Sequence, residues 1–224
     1  MFVKKIIIYS LTCVLFGFIE NIFAQNTAQI LYVSPQGNDS FSGKWNAPLQ
    51  SISAAIDSAN EENFTYIRIA AGVYSENKIL ELKSNIIIEG GWFFETTENV
   101  WKKHKDSITT ININNLESKG TYNHKIGFRS NADSNWTLKD LNIIVESASI
   151  SERLSSGKGT SIYGIHIANK SKNTKIENCT ITTGNATAGT NGTAGTNGIN
   201  GNNGLPGHIT KVAVCYGLIV SRKL

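Results

Sequence analysis

Cysteine, arginine and metal-ligand patterns are all sparse in this chain, and each scarcity removes a class of function. Only three cysteines occur, and Cys13 lies in an N-terminal leader. Cys179 and Cys215 remain, so a multi-bridge disulfide scaffold is excluded. Export permits a bridge between those two. However, Cys179 falls at an inward strand position, where a free thiol acts as a small apolar group, and no bridge is expected. Beyond the leader the arginines are Arg68, Arg129, Arg153 and Arg222, and no basic run carries interleaved aromatics. Loss of Lys4, Lys5 and Glu20 with the leader takes 21 basic and 17 acidic residues to 19 and 16, a net +3. That balance does not suit a nucleic-acid partner. The four histidines are scattered without metal-ligand spacing, and there is no Asp-Asp pair.

Long hydrophobic runs are also absent, except at the start. Lys4 and Lys5 precede a mostly apolar stretch from Ile6 to Ile19, and Ala24 offers a small residue before a cut at Gln25. Residues 1–24 therefore read as a secretory signal. The run is too short and too early for a transmembrane span, and no such span is expected in the mature chain. The remainder, about 200 residues, suffices for one domain with a sizeable core.

What the sequence does contain is alternation, and the alternation repeats. In Tyr163 to Thr183, YGIHIANKSKNTKIENCTITT, two runs have inward positions at Ile165 and Ile167, then at Ile176, Cys179 and Ile181. Period-2 patterning of this length marks half-buried strands. With no room for a helix between them, the two strands imply a chain coiling round a sheet-walled core. Thr137 to Ile143 aligns with Lys175 to Ile181 at an offset of 38, and Ile126 and Phe128 answer Ile165 and Ile167 at 39. A coil needs roughly 20 to 25 residues, within the solenoid range. The surplus is assigned to a Ser- and Gly-rich insertion, Ser147 to Ser161. Asp140 and Asn178 take equivalent places, where stacked side chains would hydrogen-bond along the coil axis. Fainter turns lie at Ile86 to Ile88 and at Ile108, Ile111 and Ile113. By this register Ile176 and Ile181 are core, and Lys175 and Glu177 face solvent.

The run G-I-x-I-x-N-x-S-x-N-x-x-I-x-N-C-x-I resembles a coil of the right-handed parallel β-helix, pectin-lyase-like superfamily. The stretch from Ile30 to Glu76 resembles the domain of unknown function found at the N-terminus of secreted bacterial β-helix repeat proteins. The shared features are a Tyr32-Val33 strand, a turn through Gly37, Asn38, Asp39 and Gly43, a short helix, and a strand ending A-G-V-Y. The residues support the same reading without the family. Asn38 and Asp39 are turn formers that bond their own backbone, which makes Asp39 a turn residue rather than a catalytic acid. Ser51 can cap a helix. After it, Ile52, Ala55, Ile56 and Ala59 form one apolar stripe. A solenoid must cover its open end, and a short amphipathic helix does so. The I-x-G-G-W ending at Trp92 also resembles the family. The expected fold is all-β, a right-handed parallel β-helix with a short N-terminal capping helix. The expected divisions are 25–76 for cap and first coil and 77–183 for the remaining coils.

Two later segments differ. From Gly184 to Gly207 glycine recurs every third residue from Gly189 onward, with Pro206 the single proline and Asn and Thr at most other places. That composition argues against a collagen helix and for an extended low-complexity loop. Residues 208–224 supply one more strand, Val212 to Val220, with no recognisable cap for the last coil, which suggests either a short protein that pairs its open end or, the favoured reading, a truncated product of a longer gene.

Chemistry is harder to find. The resemblance implies either lyases with calcium held by Asp/Glu and an Arg or Lys base, or glycosidases with grouped Asp. The chain has no N-T-D run and no G-H-G. Outward groups that would make a ligand-binding surface are Arg129, Lys139, His166, Lys170 and Lys175. The loop from Phe93 to Asp106 carries Trp101 and the cluster Lys102-Lys103-His104-Lys105. It reads as a solvated face whose aromatics leave a sugar site conceivable. No catalytic residue, metal ligand or cofactor is assigned. The expected function is a secreted or cell-surface protein for glycan binding, adhesion or display, with a polysaccharide or surface glycan as partner. The alternative is a fragment of a polysaccharide lyase or glycoside hydrolase, and only that alternative requires calcium. No feature fixes an oligomeric state.

Overall fold

The computed structural model describes residues 29–62, 64–104 and 106–198. The expected signal, Cys215 and the strand expected at 212–220 lie outside them. The chain is mostly strand with little helix, and its sheets are parallel. β1 (Ile30–Val33), β2 (Tyr66–Ala70), β5 (Ile87–Glu95), β10 (Thr137–Lys139) and β13 (Lys175–Glu177) form the first sheet, in that order. β3 (Gly72–Glu76), β7 (Thr109–Ile113), β11 (Asn142–Val145) and β14 (Thr180–Thr183) form the second. β4 (Leu80–Leu82), β9 (Asn123–Asn131) and β12 (Thr160–Ala168) form the third, with β8 (Glu117–Ser118) antiparallel on β9. From β2 onward the chain visits first, second and third sheet in the same cyclic order.

Register stacks like on like. Leu31, Ile67, Ile88, Leu138 and Ile176 align across the first sheet. Tyr74, Ile111, Ile143 and Ile181 align across the second. The 38-residue offset between β10 and β13 is therefore the true pairing. The third sheet is different: Ile126 pairs with Tyr163 and Phe128 with Ile165, so the offset is 37 and not 39. The turn following β12 has one residue more than its counterpart after β9. Two residues, Asn169 and Lys170, adopt the left-handed conformation where Ala132 alone does so. An even slip leaves every side chain on its expected face, which is why alternation could not reveal it.

Side chains alternate as expected in most strands. Ile67, Ile69, Leu80, Leu82, Ile111, Ile113, Phe128, Leu138 and Ile143 are buried. Three expectations fail. Ile176 and Ile181 point the same way as Leu138 and Ile143 but are 45% and 40% exposed, because among the described residues β13 and β14 are the last strands of their sheets. Ile108 precedes its strand and is exposed, whereas Thr109 is buried, donating its hydroxyl to the Ala70 carbonyl and accepting from Gly91 N–H. Trp136 is a fully buried core residue that alternation did not single out, and its indole N–H donates to Ser130 Oγ at 2.9 Å. Gly127 and Gly164 face each other across β9 and β12. A Cβ on Gly127 would fall 2.4 Å from the Gly164 carbonyl oxygen, so the approach requires glycine.

The corners are tied by amides. Asn135 donates to Asn85, and Asn173 donates to Asn135, both at 3.0 Å. All three adopt the left-handed conformation that asparagine tolerates. Asn178 donates to Asp140 at 2.6 Å, which is the axial bond anticipated for that pair.

Helix α1 (Ile52–Glu62) closes the first end. Ile52, Ala55, Ile56 and Ala59 are buried beneath it, and Ser51 Oγ accepts from Ala54 N–H as the N-cap. Asp39 accepts from Gln50 N–H and Ser51 N–H, each at 2.8 Å, and so has the structural role expected of it. Burial pushes its carboxyl up, but those bonds outweigh the effect and hold it below its usual value. Buried Glu76 accepts from Ile52 N–H and Ser53 N–H, adding an anion where the helix presents free donors.

The insertion between β11 and β12 carries a 3-10 turn at Ile150–Glu152. It is anchored by Lys125, which is buried and reaches Asn114, the Ser147 carbonyl and Glu152. Residues 184–190 run beside it, with Ala148 N–H donating to the Asn185 carbonyl and Thr190 N–H to that of Gly157. Residues 184–198 form no regular element, in keeping with an extended loop. Among the described residues no helix is long and apolar enough to cross a membrane.

Candidate functional site

The outward face of the first sheet holds the densest set of chemically useful side chains. Tyr32, Arg68, Glu89, Lys139 and Glu177 align in register across all five parallel strands. Neighbouring strands lie about 4.8 Å apart, so this column alternates charge along its length after the tyrosine. Tyr66, Thr137 and Lys175 stand two residues earlier on their strands and face the same way.

A hairpin folds over this column. The segment expected as an irregular loop is an ordered antiparallel extension, in which β5 pairs with β6 (Val100–Lys103) and Phe94 sits opposite Trp101. Such a hairpin carries little apolar alternation, because its exposed residues need not bury a face. It brings Lys103 onto the column. Lys103 is not a solvated charge: its ammonium is ion-paired with both Glu89 and Asp140.

Glu89 is the hub. It is only 3% exposed. One carboxylate oxygen takes Lys103 and Lys139, the latter at 3.2 Å. The other takes the Tyr66 hydroxyl and the Trp92 indole N–H. Burial alone would raise its pKa, but the bonds from Lys103, Tyr66 and Lys139 prevail and hold it at about 2. Burial, then the Glu89 carboxylate, push the Tyr66 phenol up. Glu89 is thus a fixed anion, with its proton-accepting capacity already used.

Beyond the hub the face becomes aromatic. Tyr32 and Trp101 lie 4.8 Å apart between centroids, Phe94 is 6.0 Å from Trp101, and Trp45 is 6.1 Å from Phe94. The Trp101 indole N–H donates to the Trp45 backbone carbonyl at 2.8 Å, which ties the Trp101 ring to that loop. A hollow of about 360 Å³ is lined by Tyr32, Trp45, Arg68, Asn99, Val100 and Trp101. Arg68 lies at its base, with its guanidinium carbon 4.0 Å from the Trp92 centroid. On the other side of the hub a larger hollow, about 600 Å³, lies among Lys103, His104, Thr109, Asp140 and Asn178.

The five residues expected to form a ligand surface do not converge. Lys139 and Lys175 are on the first sheet. Arg129 and His166 face each other in register on the third. Lys170 is in a corner turn, in the left-handed conformation. Arg129 is saturated: it forks onto Glu81 at 2.5 to 3.1 Å and reaches Glu117 at 2.8 Å. The Glu81 carboxylate, and then Glu117, raise its pKa, and Arg129 in turn lowers that of Glu117. Outward positions on successive strands do not share one surface, because the strands belong to three separate sheets. Arg68, flanked by inward Ile67 and Ile69, was readable as an outward arginine. Apart from Tyr66, its aromatic neighbours Tyr32, Trp92 and Trp101 come from segments too distant in sequence to be grouped with it.

Among the described residues no group of three or more His, Cys, Asp or Glu gathers to hold a metal ion. Cys179 is a free thiol packed against the core, its pKa raised by burial. No family model, curated protein or solved structure matches the chain.

Proposed function

We propose that this chain is an exported, right-handed parallel β-helix of the pectin-lyase-like kind that binds glycan without cleaving it. The cyclic order of the three parallel sheets, the in-register apolar stacks and the amide-tied corners support the coil. The secretory leader in residues 1–24 supports export. The observation that carries the glycan reading is the exposed aromatic slot of Tyr32, Trp45 and Trp101 on an otherwise charged sheet face. Sugar rings present apolar C–H faces, which stack on such rings while their hydroxyls find polar partners at the rim.

The same face supports binding over cleavage. A general base must have a free lone pair within reach of the proton it takes. Glu89, the carboxylate of the column nearest the slot, has both oxygens engaged by four donors, and Glu177, which has no such partners among the described residues, stands two strands further along the column. Isothermal titration of the purified protein with a panel of neutral and acidic oligosaccharides tests the reading. Binding that Trp101→Ala weakens by tenfold or more is expected. No binding to any of them would overturn it. Steady release of unsaturated products, followed near 235 nm with pectate or alginate and millimolar calcium, would favour the lyase alternative instead.

A further inference from the structure

We infer that the aromatic slot is selective for a sugar bearing an oxyanion, and that Arg68 is the residue that reads it. This rests on the glycan-binding reading above and adds a charge requirement to it.

The argument begins with what Arg68 lacks. Lys103, Lys139 and Arg129 each have carboxylate partners. Arg68 has none among the described residues, although Glu89 stands directly beside it in register. The reason is occupancy. Both Glu89 oxygens are already taken by Lys103, Lys139, Tyr66 and Trp92. The guanidinium is left lying on the Trp92 ring, with Tyr66 and Tyr32 at 5.4 and 5.9 Å from its carbon. Its single hydrogen bond is a 3.5 Å contact from Nη1 to the Tyr32 hydroxyl, and its Nε is buried with no acceptor.

An arginine in this state has donors to give. Stacking fixes the plane of the fork, so little rotational freedom remains to be lost when an anion docks. The surrounding rings exclude water and strengthen a charge-assisted bond. A buried donor without an acceptor is also costly, and a ligand oxygen relieves that cost. The slot's other lining groups are apolar or amide, so a bare ion would leave the aromatic walls unused. A sugar ring with a carboxylate or sulfate substituent satisfies both halves: ring face on Trp101 and Trp45, oxyanion on Arg68.

The test compares short oligosaccharides that differ only in charge. Oligogalacturonate is titrated against its carboxyl-reduced counterpart, and a sulfated oligosaccharide against its desulfated form, at about 0.15 M salt. The anionic member of at least one pair should bind ten times tighter or better. Arg68→Gln should bring that ratio close to one. Lys172→Gln, which removes the same charge from an exposed turn, should leave the ratio unchanged, and circular dichroism should show both variants folded. Which pair discriminates identifies the oxyanion. Equal binding of charged and neutral members overturns the inference and leaves the glycan reading standing. A ratio that survives Arg68→Gln, or falls equally with Lys172→Gln, overturns it in favour of general charge attraction. Inorganic sulfate binding as tightly as the sulfated sugar overturns the sugar requirement. Failure of every oligosaccharide overturns both readings.

Discussion

The two ends of the parallel stack carry similar sequence patterns and have opposite fates. At the first end, Leu31 on β1 and Ile67 on β2 are essentially inaccessible, with the α1 stripe packed over the same core. At the other, Ile176 ends that column, Ile181 ends the Tyr74 column and Ile167 the Leu82 column, and all three stay 40 to 47% exposed. Alternation decides which way a side chain points. Whether it is buried depends on the strands before and after it, and those are not in its own sequence window. The contrast separates direction from burial as determinants of stability.

The sharpest way to break this comparison is to truncate to alanine one side chain inside a column and the one that ends it. Leu138→Ala removes a side chain enclosed between Ile88 and Ile176 and should cost about 2 to 5 kcal/mol. Ile176→Ala, one strand further on, should cost under about 1 kcal/mol, because close to half of its surface is already in water. Denaturant midpoints at constant m-value measure both. Equal costs would mean that something covers the far end in solution.

The helix-covered end should be sensitive in a second way. Glu76→Ala strands the Ile52 and Ser53 N–H groups beneath α1 and should cost about 1 to 3 kcal/mol. Ser51→Ala, which removes the N-cap, should cost about 1 kcal/mol. If Glu76→Ala were neutral, the helix would not be the fastener of this end.

Acid should loosen the middle of the first sheet. Glu89 is held at about 2 against an ordinary value of 4.5. A lowered folded-state pKa contributes stability that is fully present above the unfolded value and is lost as pH falls through the folded one. The loss attributable to Glu89 should therefore develop between pH 4.5 and about 2. Lys103→Met removes the largest of the favourable partners and should shift acid unfolding to higher pH, as followed by circular dichroism. An unchanged acid midpoint would show that Lys103 does not hold Glu89 down. The smallest effect belongs to the exposed strand: Glu177→Ala should stay within about 0.5 kcal/mol.

How much of this was legible beforehand differs by level. The 38-residue pairing was readable because apolar alternation and the Asp140 and Asn178 corner agreed on it. The capping helix was readable because Ser51 and the stripe after it use strictly local rules. The third-sheet register was not, since a two-residue slip preserves every face. Most of the site was hidden for a different reason. Glu89, Lys103 and Asp140 come from separate stretches, and only the β5–β6 hairpin lays the lysine on the two acids. Glu76 shows the same limit, being an outwardly ordinary glutamate whose partner helix begins 24 residues earlier.

The asparagine ladder at the corners has a genetic consequence. Asn135 donates its amide to Asn85 and accepts from Asn173, so the middle rung presents to the next what it took from the last. A tandem duplication of one whole repeat would meet a compatible corner on both sides and would lengthen the sheet faces without disturbing those already built. An insertion that stays clear of the ladder is also tolerated. The step from Asn85 to Asn135 spans 50 residues and contains the β5–β6 hairpin, whereas the step to Asn173 spans 38, and the amides meet at the same distance in both. Surface can therefore be added between the corners while the corners themselves stay constant, which lets the aromatic hairpin change under selection without disturbing the paired asparagines.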